Sequence, residues 1–185
     1  IEGRMELEPY TFITKYEDGK PIETEDPYSY RFQSRFKEND LKKFEAGIYY
    51  NSYEKLGAHP VTENGVPGVS FAVWAPEAIR VSVVGDFNLW DGRRHQMKRL
   101  GDSGIYELFI PELKAGMLYK YEIKTKSCEP MLKADPYANY AQLRPDTASV
   151  IWDMDGYKWE DKEWMDKRGQ AHGKEMPMSV YEVHL

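Results

Sequence analysis

The residues of this chain best suited to binding chemistry lie in Gly85–Trp90, where an alternating strand ends and a turn presents a tryptophan. A sugar ring has an apolar face, which a rigid aromatic side chain can cover at small entropic cost. We therefore interpret Trp90 as a candidate stacking platform for a sugar, with Asn88 of the same turn as a further candidate sugar-binding residue. The alternative is that Trp90 only caps the core of the domain.

A second candidate is Lys120, in the alternating strand Leu118–Lys124. Its ammonium group has three donors that could bind sugar hydroxyls beside the tryptophan. The alternative is a solvated charge on the outer face of a sheet. Trp74 and Trp152 lie inside apolar strands, and we expect both of them in the core.

Motifs for catalysis or metal binding are missing from the sequence. The single cysteine, Cys128, lies in a predicted turn before Pro130, and there is no G-x-S-x-G, P-loop or G-x-G-x-x-G. Glycosidic chemistry needs two carboxylates about 5–10 Å apart, but the acidic residues of 153–163 are typical of a solvated face. We expect no catalytic residue, no metal and no cofactor. The four histidines are far apart in sequence: His59, His95, His172 and His184.

Composition narrows the class of partner. The 185 residues carry a formal net charge of -6 and no basic stripe, which argues against nucleic acid and anionic membrane surfaces. No stretch approaches the roughly 18–20 apolar residues of a membrane helix. One cysteine is compatible with a reducing compartment, and we expect a cytoplasmic protein. Aromatic residues make up 14% of the chain, which favours strands and flat binding surfaces.

Short segments with a period of two predict an antiparallel β-sandwich over residues 61–155. Each of them is bounded by turn-forming residues. These predicted strands are Val69–Ala75, Ile79–Asp86, Gly104–Ile110, Leu118–Lys124, Met131–Ala134 and Ala148–Trp152.

The flanking segments are more polar. Residues 5–60 form an N-terminal arm, irregular up to residue 38, with a short helix that begins after Asn39–Asp40 and ends at Gly47. Residues 156–178 are a linker that contains a possible helix, Trp159–Arg168. The alternating segment Ser179–Leu185 predicts a strand. Residues 1–4 match the recognition sequence of a processing protease, and we interpret them as the remnant of an expression tag.

Several segments, in the right order, carry a family resemblance. Gly85–Trp90 and Leu118–Ile123 resemble the starch- and glycogen-binding module of carbohydrate-binding module family 48. The wider match runs from about residue 39 to residue 185 and is similar to the bacterial glycogen branching enzymes. The segments that carry this wider match are Tyr53–His59, Phe71–Pro76, Lys133–Ala138 and Ser179–Leu185.

This resemblance implies an all-β, immunoglobulin-like antiparallel sandwich in front of the (β/α)₈ barrel of glycoside hydrolase family 13, with Ser179–Leu185 as the first barrel strand. Such enzymes cut an α-1,4 glucan and rejoin it through an α-1,6 bond in glycogen biosynthesis. The resemblance places both catalytic carboxylates in later barrel strands, so we expect this chain to be inactive alone. The implied partners are α-glucan and the downstream barrel, and the implied sugar contacts include Trp90 and Lys120.

One departure from the pattern concerns a second tryptophan. Related modules of regulatory kinases present one after the lysine strand, whereas the turn Thr125–Pro130 here has no aromatic residue. The two-tryptophan clamp is therefore absent, so the glucan site is weak, lies elsewhere on the surface or serves only to hold the barrel.

Three alternatives to the branching transferase stay open: a non-catalytic glycogen-targeting module, a structural brace for the barrel, and a debranching hydrolase.

Overall fold

A computed structural model describes residues 10–15, 19–30, 34–127, 129–171 and 179–184. The chain divides into two compact units, Ile1–Asp153 and Met154–Leu185. The predicted tag remnant at residues 1–4 and Cys128 lie outside the described residues.

The first unit is built on two antiparallel sheets, which confirms the predicted sandwich. The strands of the first sheet are β5 (Ala78–Gly85), β8 (Leu118–Thr125), β9 (Met131–Lys133), β10 (Tyr140–Ala141) and β11 (Ser149–Val150). Those of the second sheet are β3 (Gly57–Glu63), β4 (Val66–Trp74), β6 (Lys98–Arg99) and β7 (Ile105–Pro111). The first sheet has the order β10-β11-β8-β5, with β9 also paired to β8, and the second has the order β3-β4-β7-β6.

The main core lies between the two sheets. Cross-strand pairs such as Phe71 with Leu108 and Val83 with Tyr121 point inward, so the apolar alternation read from the sequence fills this layer. The Tyr106 hydroxyl donates to the carbonyl of Ala78 at 2.6 Å and links β7 to β5 across the core. Other buried members of this core are Val69, Val73, Val81, Ile110, Tyr119 and Ile151.

Two tryptophans predicted for the core are at the surface instead: Trp74 is 53% exposed and Trp152 is 44% exposed. Trp74 ends β4 on the outward side, where its indole N–H donates to the Ser103 carbonyl at 3.2 Å. Trp152 follows β11 and packs on Tyr140 with ring centroids 4.8 Å apart. A position in an apolar strand therefore did not determine which face these side chains occupy.

The N-terminal arm has more structure than predicted. It contains an antiparallel hairpin of β1 (Thr11–Thr14) and β2 (Ile22–Glu25). Further along, Phe36 and Leu56 form a second, smaller core with Ala72 and Ile105 of the four-stranded sheet. Part of the arm therefore covers the outer face of that sheet.

The short helix of the arm is α1 (Glu38–Glu45), which begins before the predicted Asn39–Asp40 cap. Asp40 lies inside the first turn, and its carboxylate accepts the backbone N–H of Lys37 at 2.8 Å. It therefore caps the helix from within rather than from the preceding position. Gly47, with a φ of +70°, follows the helix end as predicted.

The second unit contains α2 (Lys162–Ala171), close to the predicted helix. Within the described part of the predicted terminal strand, residues 179–184, no strand is assigned. A strand needs a hydrogen-bonded neighbour, so the assignment of this segment to a barrel stays a prediction. Over the described residues, no helix is long and apolar enough to cross a membrane.

Candidate functional site

The turn after β5 is held together by Asn88. Its side-chain oxygen accepts the Gly85 N–H at 3.0 Å, and its amide nitrogen donates to the Val83 carbonyl at 2.9 Å. The same nitrogen lies 2.8 Å from Nδ1 of His95. Asn88 is 1% exposed, so its amide is enclosed and already bonded, and its predicted sugar contact stays a prediction. Its role is to shape the turn.

The backbone of this turn is strained. Leu89 and Trp90 both have a φ of +58°, a left-handed conformation that side-chain-bearing residues rarely adopt. The Trp90 N–H donates to the Gly85 carbonyl at 2.9 Å, and the indole N–H donates to Asp86 at 2.8 Å. Leu89 is 81% exposed. The turn therefore holds an oriented, half-buried tryptophan beside an exposed leucine.

The Trp90 turn and Lys120 lie at the same end of the β5–β8 pair, because the Trp90 N–H donates to the carbonyl of Gly85, which pairs with Tyr119. Lys120 opposes Val84 in the β5–β8 register, on the face away from the tyrosines of the core. The segment after the turn crosses this face, because the Ser82 hydroxyl donates to the Gly92 carbonyl at 2.7 Å. The side chain of Glu122 fills the space in which a residue larger than glycine at position 92 would place its Cβ.

Lys120 is tied to the hairpin of β10 and β11. Its Nζ donates to the Thr147 hydroxyl at 2.8 Å, which uses one of its three donors and fixes the position of the charge. The structure thus brings the Trp90 turn and Lys120 to the same end of β5 and β8, although 29 residues separate Trp90 from Lys120 in sequence.

An aromatic pair that the sequence analysis missed lies on the same sheet. Tyr140 and Trp152 are both exposed, and their rings are inclined by 33°. Tyr140 pairs with Val150 in the β10–β11 register, so Trp152 follows its partner strand by two residues. The sequence signal that could have indicated this pair is an aromatic residue at each end of a short predicted hairpin.

His95 supports the turn in its neutral form. An amide nitrogen can only donate, so Nδ1 of His95 accepts from Asn88 and the ring proton is on Nε2. Burial lowers the pKa of His95, the charge of Arg94 lowers it further, and Asp26 opposes the shift. Protonation of Nδ1 would remove the acceptor that Asn88 uses.

We expect the turn to loosen as the pH falls below about 6.5, the ordinary histidine pKa. Because the folded-state pKa is lowered, the stability from neutral His95 is complete above that pH and is lost as the pH falls through the folded-state pKa. NMR titration of the His95 ring and the Asn88 side-chain amide measures this. The variant His95→Gln should remove the transition, and a midpoint at or above 6.5 would contradict the assignment.

Among the described residues, no group of three or more His, Cys, Asp or Glu side chains is arranged to hold a metal ion. The residues that the site does present are a half-buried tryptophan, a lysine ammonium and an exposed aromatic pair, which are suited to binding a polar ligand with an apolar face.

Comparison with known proteins agrees with that chemistry. The family model described as carbohydrate-binding module 48 (isoamylase N-terminal domain) matches residues 55–138. Trp90 and Lys120 lie within the matched residues, whereas Tyr140 and Trp152 lie just beyond them.

Relatives extend the match beyond module 48. The 1,4-alpha-glucan branching enzyme GlgB of Rubrobacter xylanophilus is 49% identical over 177 residues, 95% of this chain and 24% of that protein. The enzyme of the same name from Synechococcus sp. (strain JA-3-3Ab) is 50% identical over 165 residues, 88% of this chain and 21% of that protein. The chain thus spans about a quarter or less of these curated relatives and is similar to their N-terminal part.

Among solved structures, apo pullulanase from Klebsiella pneumoniae is 25% identical, with a TM-score of 0.45, over 54% of this chain and 11% of that chain.

Proposed function

We propose that this chain is the glucan-binding N-terminal portion of a 1,4-alpha-glucan branching enzyme. The observation that carries the proposal is that the Trp90 turn and Lys120 lie at the same end of the β5–β8 pair, within the residues that match the module 48 family model. Identity of about 50% to branching enzymes over most of the chain supports it and favours branching over debranching.

The site would bind a glucan chain by stacking and hydrogen bonding. The Asp86 carboxylate orients the Trp90 indole, so its face is ready to cover a glucose ring without ordering a free side chain. Lys120 retains two donors for sugar hydroxyls. Asn88 acts behind the surface by fixing the turn.

The reaction of the whole enzyme belongs to a catalytic barrel that follows this portion. There, one carboxylate would form a glucosyl-enzyme intermediate and a second would protonate the leaving oxygen, before a sugar 6-hydroxyl accepts the chain. The portion described here would hold α-glucan near that barrel, and Ser179–Leu185 would be the first strand of the barrel. We place this activity in glycogen biosynthesis in the cytoplasm.

The test is affinity electrophoresis of the chain in gels that contain glycogen. We expect Trp90→Ala to weaken binding at least about tenfold, because covering one large apolar side chain contributes about 1.5–3 kcal/mol. Lys120→Met should weaken it several-fold. Trp164→Ala is the matched control, because Trp164 is an exposed tryptophan of the second unit.

Two results would overturn the proposed site. If the unmodified chain does not bind glycogen while remaining folded, the sandwich is a structural brace, a role favoured by the Lys120–Thr147 bond. If Trp152→Ala abolishes binding and Trp90→Ala does not, the glucan lies on the Tyr140–Trp152 pair instead. Circular dichroism of each variant separates loss of binding from loss of folding.

A further inference from the structure

A short piece of the N-terminal arm contacts the segment that follows the Trp90 turn. The piece is a single turn of 3-10 helix, Pro27–Tyr30, and the segment is 92–97, which leads from the Trp90 turn to β6. The backbone N–H of Gln96 donates to the Tyr28 hydroxyl at 3.0 Å, across 68 residues of sequence. The arm therefore reaches the neighbourhood of the candidate glucan site.

The arm is held firmly where it makes this contact. Tyr30 is buried and packs on Phe109 of β7, with ring centroids 4.8 Å apart. The buried carboxylate of Asp26 accepts the Tyr28 backbone N–H at 3.0 Å and the Tyr10 hydroxyl at 2.5 Å. The Tyr28 hydroxyl is thus presented from a fixed base rather than from a free chain end.

The bond to Tyr28 uses a backbone group that β5 does not use. Gln96 opposes Ser82 of β5 in an antiparallel bridge, and the backbone bonds to β5 are made by its two neighbours, His95 and Met97, at 3.1 and 2.8 Å. In such a non-hydrogen-bonded pair the N–H of the central residue points away from the neighbouring strand. Tyr28 therefore closes the outer side of the segment, while β5 holds its inner side.

The segment is connected to the Trp90 turn through the residue before Gln96. Nδ1 of His95 lies 2.8 Å from the side-chain nitrogen of Asn88. Asn88 accepts the Gly85 N–H, and the Gly85 carbonyl accepts the Trp90 N–H at 2.9 Å. A continuous series of hydrogen bonds and one peptide link therefore joins the arm to the backbone of Trp90.

A second link between the arm and this series is electrostatic. The charge of Asp26 raises the pKa of His95, whereas burial of the ring and the charge of Arg94 lower it. Asp26 also accepts the backbone N–H of Tyr28. Both links to the Trp90 turn thus begin in the same three residues of the arm.

We propose that Tyr28 and Asp26 are positioning residues of the Trp90 site, which hold the turn in its binding conformation by bracing Gln96 and His95. The identity of the ligand as α-glucan rests on the proposed function, whereas the effect on the turn needs no sugar. Neither residue is assigned a contact with glucan. Apparent affinity falls with the fraction of molecules in the binding conformation, so a loosened brace should weaken binding.

The first test replaces Tyr28 with Phe, which removes the accepting hydroxyl and keeps the ring. Without sugar, we expect the Trp90 indole N–H and the Asn88 side-chain amide to shift in NMR spectra of the labelled chain. Affinity electrophoresis should show glycogen binding weakened about two- to fivefold. Tyr30→Phe is the matched control, because it removes a hydroxyl of the same turn that bonds to Glu25 within the arm. It should change neither measurement.

The second test is Asp26→Asn, which removes the charge and keeps one acceptor oxygen. We expect NMR titration to give a His95 pKa below that of the unmodified chain, because the Asp26 charge raises it. A detached arm that exposed the ring would instead raise the pKa, since burial is the main cause of its lowered value. The direction of the shift therefore separates positioning from loss of structure, and Glu25→Gln is the matched control.

Unchanged Asn88 and Trp90 signals in Tyr28→Phe, with an unchanged His95 pKa in Asp26→Asn, would overturn the proposal. The proposed function would stand if the unmodified chain still bound glycogen through Trp90. If the unmodified chain does not bind glycogen, the proposed function fails, and the spectra without sugar still decide whether the arm positions the turn. Weaker binding by Tyr28→Phe with unchanged spectra would indicate a direct contact between Tyr28 and glucan and would contradict a positioning role.

Discussion

Replacing Asp135 with Ala is expected to lower the free energy of unfolding of the sandwich by about 3–5 kcal/mol. Oδ2 of Asp135 accepts the hydroxyl of Tyr119 at 2.7 Å and that of Tyr121 at 3.1 Å. Oδ1 accepts the backbone N–H of Tyr137 at 2.8 Å. Both tyrosines are fully buried, so the alanine variant leaves the Tyr119 hydroxyl without its acceptor and the Tyr121 hydroxyl with only a longer bond to the Ala72 carbonyl, at 3.4 Å.

Urea denaturation measures this loss, and the exposed Asp146→Ala in the neighbouring hairpin is the matched control. Asp135→Asn keeps one acceptor oxygen, so its free energy of unfolding should lie between those of Asp135→Ala and the unmodified protein. In the Asp135→Ala background, changing Tyr119 and Tyr121 to Phe should recover part of the stability, because the hydroxyls that lost the carboxylate are removed with it. A loss below about 1 kcal/mol for Asp135→Ala would show that the network contributes little.

The strands of the sandwich could be predicted because their burial follows local alternation. In β5, Val81 and Val83 face the main core and their polar neighbours face outward. The hairpin of β1 and β2 could not be read in this way, because nearly all of its side chains are exposed. Without one buried face, neither strand carries a period of two.

The sequence pattern also could not predict which residues are buried by segments that are distant along the chain. In the β7 segment, Glu107 alternates with apolar neighbours and reads as a solvated residue, yet the arm encloses it. Asn88 reads as an exposed turn residue, but its partners Val83 and His95 turn the amide inward. Both outcomes depend on which segments cover a face, which spacing along one strand does not encode.

The pairing of Trp90 with Lys120 shows the same limit at the level of the site. Each was recognisable as a candidate from its own segment. Their proximity along the sheet follows from the β5–β8 register, in which Val84 opposes Lys120 and Gly85 opposes Tyr119, and from the bond by which the Trp90 N–H holds the turn to the Gly85 carbonyl. Changes at the end of β5 should therefore affect stability and binding together.

Gly85 is the residue at which the link between the Trp90 turn and the β5–β8 pair can be broken most directly. Its φ of -177° is extended and open to any residue, so only space requires glycine here. A Cβ at this position would lie 2.3 Å from the Leu118 carbonyl oxygen and 2.5 Å from the Phe87 ring. The carbonyl belongs to the backbone of β8, and it cannot withdraw without disturbing the pairing of β5 with β8.

We therefore expect Gly85→Ala to cost about 2–3 kcal/mol of unfolding free energy, as overpacking of a close contact does. Glycogen binding should weaken with it, because the shift separates the Trp90 turn from Lys120. Urea denaturation and affinity electrophoresis measure the two effects. Gly116→Ala is the control: its Cβ meets nothing within 4 Å, and only its φ of +92° opposes the change, at about 1 kcal/mol. If Gly85→Ala loses no more stability than Gly116→Ala, a small shift relieves the contact with the Leu118 carbonyl and the contact does not require glycine at position 85; glycogen binding should then survive in Gly85→Ala.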